Sequence, residues 1–291
     1  MTRQRRTRSL CALGLAASLS AVPFGCGPKH LVLNEAGLDR GLVIVLPGID
    51  GRAPHNEGVC RTLCKGSPGL AAELYDWTAP LGPIFNQCAT ERNRREAARL
   101  AEHIREYRRA HPGGSVHLIG HSGGTAIAVW AAEALPRDQR VGGLVLLASS
   151  LSPGYDLSPA LRRSRKGIVS ICSHRDTIML GAGTSFLGTM DGPRCESAGK
   201  VGFAAPAGAA RDAEYDRLHE IRWQPHMAAL GYDGGHFSCT SPRFVAACIA
   251  PLLEAGSWSP QVVAAAAEAA REPGAGVSVS GRAVALAGGN P

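Results

Sequence analysis

The chain has 291 residues, 45% of them hydrophobic, with a formal net charge of +7 and nine cysteines. That length and apolar share suit a sizeable core and exclude wholesale disorder. Four arginines fall between positions 3 and 8, so the remainder carries only +3, and with no aromatic-plus-basic motif a nucleic-acid partner is excluded.

The first residues, Met1 to Arg8, form a short basic segment, and Leu10 to Phe24 an apolar stretch that ends at Gly25-Cys26. A positive start, an apolar run too short for a bilayer and small residues after it are the layout of a secretory signal over residues 1–25. Gly25-Cys26 resembles the end of a bacterial lipoprotein signal, with Pro23 and Phe24 departing from that pattern. The resemblance implies a lipid on Cys26 and attachment to a membrane. The expectation is an exported protein, periplasmic or at the cell surface, and the cysteine number agrees with an oxidising compartment. Cys60 and Cys64 have no second Cys/His pair nearby, so no zinc site is read there. No cofactor motif stands out.

Beyond the signal, strand-like and helix-like segments alternate. Gly41 to Leu46 is a nearly unbroken apolar run closed by Pro47-Gly48, as a strand buried on both faces requires. Glu73 to Trp77 reads as a second strand. Glu91 to Ala110 reads as a helix, with Ala97, Leu100, Ala101, Ile104 and Tyr107 at spacings of three and four. Val116 to Ile119, Gly143 to Ala148, Gly167 to Cys172 and Glu220 to Trp223 read as further strands. Gly124 to Leu135 and Arg243 to Glu254 read as helices. The alternation predicts an α/β domain over residues 26–255, a mostly parallel sheet with helices on both faces. Leu180 to Ala210 has no clear period and is placed over the site as a loop or lid, with an apolar rim around Leu180 to Leu187. Residues 256–291 are dominated by Ala and Gly and read as a flexible tail with helical character around Gln261 to Arg271.

Gly120-His121-Ser122-Gly123-Gly124 lies between a strand and a helix, the context in which G-x-S-x-G forms a strained turn that projects a serine hydroxyl above the sheet. Side chains two before and two after the serine would collide there, so glycine is needed. A serine at its free pKa is a poor nucleophile and needs a base and an orienting acid. Asp176, just after the strand ending at Cys172, is the candidate acid. His236, in the Gly-rich loop before the last helix, is the candidate base, with His226 as its rival, while His121 shapes the turn. The N–H of Gly123, next to the serine, and that of Ile49, in Pro47-Gly48-Ile49-Asp50, are the candidate oxyanion donors, Asp50 standing second to Ile49.

Together these residues resemble the α/β-hydrolase superfamily, and within it the minimal lipase/esterase-like members. The resemblance covers about Gly41 to Glu254. It implies an α/β-hydrolase fold and a serine hydrolase acting on a small-molecule or lipid ester through an acyl-enzyme on Ser122. A thioesterase, amidase or acyltransferase would use the same residues, and a catalytically silent surface binding protein is the reading of a different class. Pro47 stands where the family commonly has a His-Gly pair, which bears on the second oxyanion donor.

Overall fold

The structure, a computed structural model, describes residues 30–67, 69–205, 213–269 and 271. The proposed signal, Cys26 and residues 272–291 of the proposed tail lie outside them. Among the described residues, no helix is long and apolar enough to cross a membrane.

Seven strands make one sheet: β1 (His30–Leu33), β2 (Gly41–Leu46), β3 (Ala71–Tyr75), β4 (Ser115–His121), β5 (Gly143–Leu147), β6 (Ile168–Cys172) and β7 (Leu218–Arg222). Their order is β1-β3-β2-β4-β5-β6-β7. β1 runs antiparallel to β3, and every other pairing is parallel. β2, β3, β5 and β6 are buried at every position, which is why β2 and β5 read as unbroken apolar runs rather than alternating ones, while β3 buries Glu73 and β6 buries Ser170.

Helices cover both faces. On one face α1 (Pro54–Gly66) packs through Val59, Cys60 and Leu63 beside the C-terminal helices. Next in the chain is the short α2 (Pro83–Cys88). On the opposite face α3 (Thr90–Ala110) buries the stripe Ala97, Leu100, Ala101 and Ile104, and α4 (Gly124–Ala134) is buried from Gly124 through Ala132. A helix apolar all round belongs in a core, and the small alanines of α4 let α3 lie close against it.

Three differences from the sequence reading have physical causes. The helix expected over Arg243 to Glu254 is interrupted by a π-helical stretch, Val245–Ile249, before Ala250–Glu254 resumes. Pro251 has no N–H to donate to residue 247, and its ring crowds that carbonyl, so the preceding turn widens. The domain also does not end at residue 255. Trp258 is 4% exposed, its indole N–H donates to the Leu252 carbonyl, and the helix Pro260–Glu268 buries Val263 and Ala266 on the core. Finally, Leu180 to Ala210 is not an open loop through its length. Met190 is fully buried, and the N–H groups of Met190, Ala198 and Gly199 bind the carbonyls of Ser150, Leu151 and Ser149.

All seven described cysteines are free thiols, Cys88 exposed and Cys60, Cys172, Cys239 and Cys248 buried. Burial pushes the Cys172 and Cys248 thiols up to about 12, so both behave as apolar filler.

Candidate active site

β4 ends at His121, and α4 begins at Gly124, which leaves Ser122 in the turn between them. Ser122 has φ of 51°, a left-handed conformation that is strained for a residue with a side chain. The strain is held by neighbours: the Ser122 N–H donates to the Leu147 carbonyl at 2.9 Å, and its carbonyl accepts from the Thr125 hydroxyl at 2.6 Å. Glycine is enforced on either side by close approach. A Cβ on Gly120 would stand 2.6 Å from the Thr125 Cα, and one on Gly124 would stand 2.3 Å from the Leu46 carbonyl oxygen.

The three residues chosen from the sequence as nucleophile, base and acid meet in one line. Ser122 Oγ lies 2.9 Å from His236 Nε2, and His236 Nδ1 lies 2.6 Å from Asp176 Oδ2. Ser122, His236 and Asp176 are all buried, so these contacts are shielded from bulk water. The other Asp176 oxygen accepts the Leu180 N–H at 3.2 Å, which ties the carboxylate to the start of the segment expected as a lid. His226 sits elsewhere, its Nε2 3.5 Å from the Ala267 carbonyl oxygen.

Gly123 and Ile49 adjoin. A Cβ on Gly123 would meet the Ile49 side chain at 2.7 Å, with Trp77 and Met190 behind it. Among the described residues no hydrogen bond engages the N–H of either Gly123 or Ile49.

The family model for the alpha/beta hydrolase fold matches residues 65–170, a span that contains the turn around Ser122. The chain has the alpha/beta hydrolase fold. Solved structures similar to this chain include a dienelactone hydrolase-like promiscuous phosphotriesterase from metagenomic libraries, at 17% identity and TM-score 0.40. That likeness covers 67% of this chain and 77% of the other. Aspergillus fumigatus lipase B is similar at 10% identity and TM-score 0.46, over 79% of this chain and 61% of the lipase. A Pyrococcus furiosus esterase is similar at 12% identity and TM-score 0.44, over 74% of this chain and 81% of that one. No curated protein matches the sequence.

Several residues that hold the candidate site were not singled out from the sequence. Trp77 donates its indole N–H to the Pro47 carbonyl at 2.8 Å, and Asn86 donates to the Ile49 carbonyl at 3.0 Å. These two bonds fix the strand end where Pro47 replaces the more usual pair. Asn56 donates to the Gly51 carbonyl at 2.9 Å and turns its Oδ1 toward His121 Nδ1 at 3.0 Å. The sequence carries one signal for them. Asn56 and Asn86 are poor helix formers placed inside helical segments, where an amide is retained when it has a buried partner.

His55 Nε2 lies 3.2 Å from Asp50 Oδ2 on the same rim. Burial lowers its pKa, the Asp50 charge opposes that, and the charge of His236 adds to it. His121 is fully buried, and burial together with the charges of His236 and His55 lowers its pKa well below the ordinary imidazole value.

Proposed function

We propose that the protein is a serine hydrolase that cleaves carboxylic esters through an acyl-enzyme on Ser122. The observation that carries this reading is the unbroken contact from Ser122 Oγ through the His236 ring to the Asp176 carboxylate, with the serine on a strained strand-to-helix turn. Ser122 Oγ attacks the ester carbonyl carbon and its proton passes to His236 Nε2. Asp176 accepts the Nδ1–H and keeps the ring oriented. The N–H groups of Gly123 and Ile49 receive the charge that develops on the carbonyl oxygen. The tetrahedral adduct then collapses: the bond to the alkoxy oxygen breaks, and His236 returns its proton to the leaving alcohol. Water, deprotonated by His236, attacks the acyl-enzyme by the same route and releases the acid.

The surroundings support an apolar substrate. Leu81, Ile84, Ile178 and Phe186 are each more than three-fifths exposed, with Phe85, Met179, Leu187 and Phe237 exposed to a lesser degree. They ride on the elements that hold the site. α2 carries Asn86, which binds Ile49. Ile178 follows Asp176, and the Phe237 ring packs edge-on at 5.0 Å against His236. Exposed large apolar groups on the segments that carry the site suit a lipid or other apolar ester. Export, with lipid on Cys26, is proposed from the leader pattern alone.

Treating the purified chain beginning at residue 26 with a fluorophosphonate probe, beside Ser122→Ala, tests the reading. Labelling of the parent and none of the variant supports an activated Ser122. A folded parent that takes no label sinks it and leaves the binding-protein reading in front.

A further inference from the structure

Glu73 is a carboxylate in an apolar row. It lies on β3 between Ala71 and Tyr75, on the face covered by α3, and its side chain is 3% exposed. His30, from the edge strand β1, places Nδ1 2.6 Å from Glu73 Oε1. His103, from α3, places Nε2 2.8 Å from Glu73 Oε2. One ligand-type atom from each of the three lies within 4.8 Å of both others, and this is the one such grouping among the described residues. The rings are held in place: Tyr75 packs at 4.6 Å from His30 and 5.6 Å from His103, and the two imidazoles stand 5.4 Å apart.

We propose that His30, Glu73 and His103 form a binding site for a divalent transition-metal ion, Zn²⁺ by preference, that clamps the edge strand β1 to β3 and α3. Two imidazole nitrogens with one carboxylate oxygen are a donor set that suits zinc. Tetrahedral zinc with ligands at about 2.0–2.2 Å holds them roughly 3.3 Å apart, so both imidazoles would draw back slightly from the carboxylate, which they now meet at 2.6 and 2.8 Å, to admit the ion. The outer edges of His30 and His103 are 41% and 33% exposed, which gives the ion an entry path and water a fourth position. None of the three residues belongs to the Ser122 site. The three donors come from separate elements, so binding converts a four-residue antiparallel edge strand into a cross-linked one.

The test uses the full folded domain after chelator treatment and desalting, titrated with zinc chloride in a calorimeter and melted with and without the metal. The expected result is one ion per chain, saturating in the micromolar range or tighter, with a higher Tm. His30→Gln and His103→Asn are each expected to weaken binding at least 10-fold. If His103→Asn does not fold by circular dichroism, His30→Gln carries the comparison, because its side chain is partly exposed on an edge strand. Cobalt in place of zinc gives the second readout: visible absorbance of a tetrahedral site without a thiolate charge-transfer band. Absence of saturable binding, or equal binding by the parent and both variants, overturns the proposal and leaves a plain histidine–carboxylate ion pair.

Discussion

His121 Nε2 lies 3.2 Å from the backbone carbonyl oxygen of His236, so the histidine beside the elbow serine touches the loop that carries the other histidine of the site. Nδ1 of the same ring faces Asn56 Oδ1 at 3.0 Å. His121 stays neutral because it is buried, and a neutral imidazole donates through one of these nitrogens only. On the proposed chemistry, His121 positions the loop that carries His236. His121→Ala is expected to lower kcat about 10- to 100-fold with little change in KM, since a displacement of about 1 Å at a reacting group costs that much. The Ser122 label should persist at a reduced rate. An unchanged kcat would remove the bracing role.

Asp176 receives the His236 Nδ1–H and the Leu180 N–H on its two oxygens. Asp176→Asn keeps the size but presents an amide donor to the ring and favours the wrong tautomer. On the proposed chemistry, ester turnover falls by about 10⁴-fold while the protein stays folded. Turnover within a few-fold of the parent would place the acid elsewhere.

Gly120 leaves no room for a methyl group, because the nearest atoms are the Thr125 Cα at 2.6 Å and the Gly124 carbonyl oxygen at 2.7 Å. Both belong to backbone, which cannot swing aside as a side chain would. Gly120→Ala is expected to cost about 3 kcal/mol or more and to abolish labelling of Ser122. Urea unfolding reads the first effect. A stability loss under about 1 kcal/mol would show that the elbow gives way more easily than its packing implies.

Glu133 sits under Tyr155, whose hydroxyl lies 3.1 and 3.0 Å from its two oxygens. Burial raises its pKa to about 7, against the opposing effects of the Tyr155 hydrogen bond and the Arg94 charge. Between its ordinary value of 4.5 and about 7, the folded chain binds the proton more than the unfolded chain does. Stability from this group is therefore full below that window and lost as pH rises through it. From about pH 5 to pH 8 the loss is roughly 2–3 kcal/mol. Glu133→Gln keeps an acceptor for Tyr155 and cannot ionise. Unfolding free energies of parent and variant should diverge with rising pH in favour of the variant, and a pH-independent difference would contradict the raised pKa.

Ile178 and Phe186 are 77% and 78% exposed, on the segment that begins beside Asp176. If they touch an acyl chain, Ile178→Ser with Phe186→Ser shifts preference toward short esters by about 10-fold or more, because a long chain then buries less apolar surface. Hydrolysis of short esters stays near the parent rate. A chain-length profile that does not move would detach this rim from substrate binding.

The sequence by itself determined the elements whose pattern is local. β2, β5 and β6 are legible because strands buried on both faces are apolar through most of their length, β4 from its Val116 to Ile119 core, and α3 because one stripe of it faces the sheet. The strand-to-helix turn is legible through its glycines, although only Gly120 collides within the turn, with Thr125 and Gly124, while Gly124 is required by the Leu46 and Pro47 carbonyls at the end of β2. Asp176 and His236 could be chosen as candidates from their places after a strand and before a helix. Only the tertiary structure brings His236 and not His226 against Ser122, because a 2.9 Å contact across 114 residues of chain leaves no local trace. Tertiary structure also decided what supports the site: Gln87 donates to the carbonyl of Gly188, 101 residues away, and Asn86 to that of Ile49. β1 is four residues long, and its register comes from β3 rather than from its own sequence. The Ala-rich stretch after residue 255 has too few large apolar groups to announce a folded helix. It folds because Trp258, Val263 and Ala266 meet a surface already built by the rest of the chain.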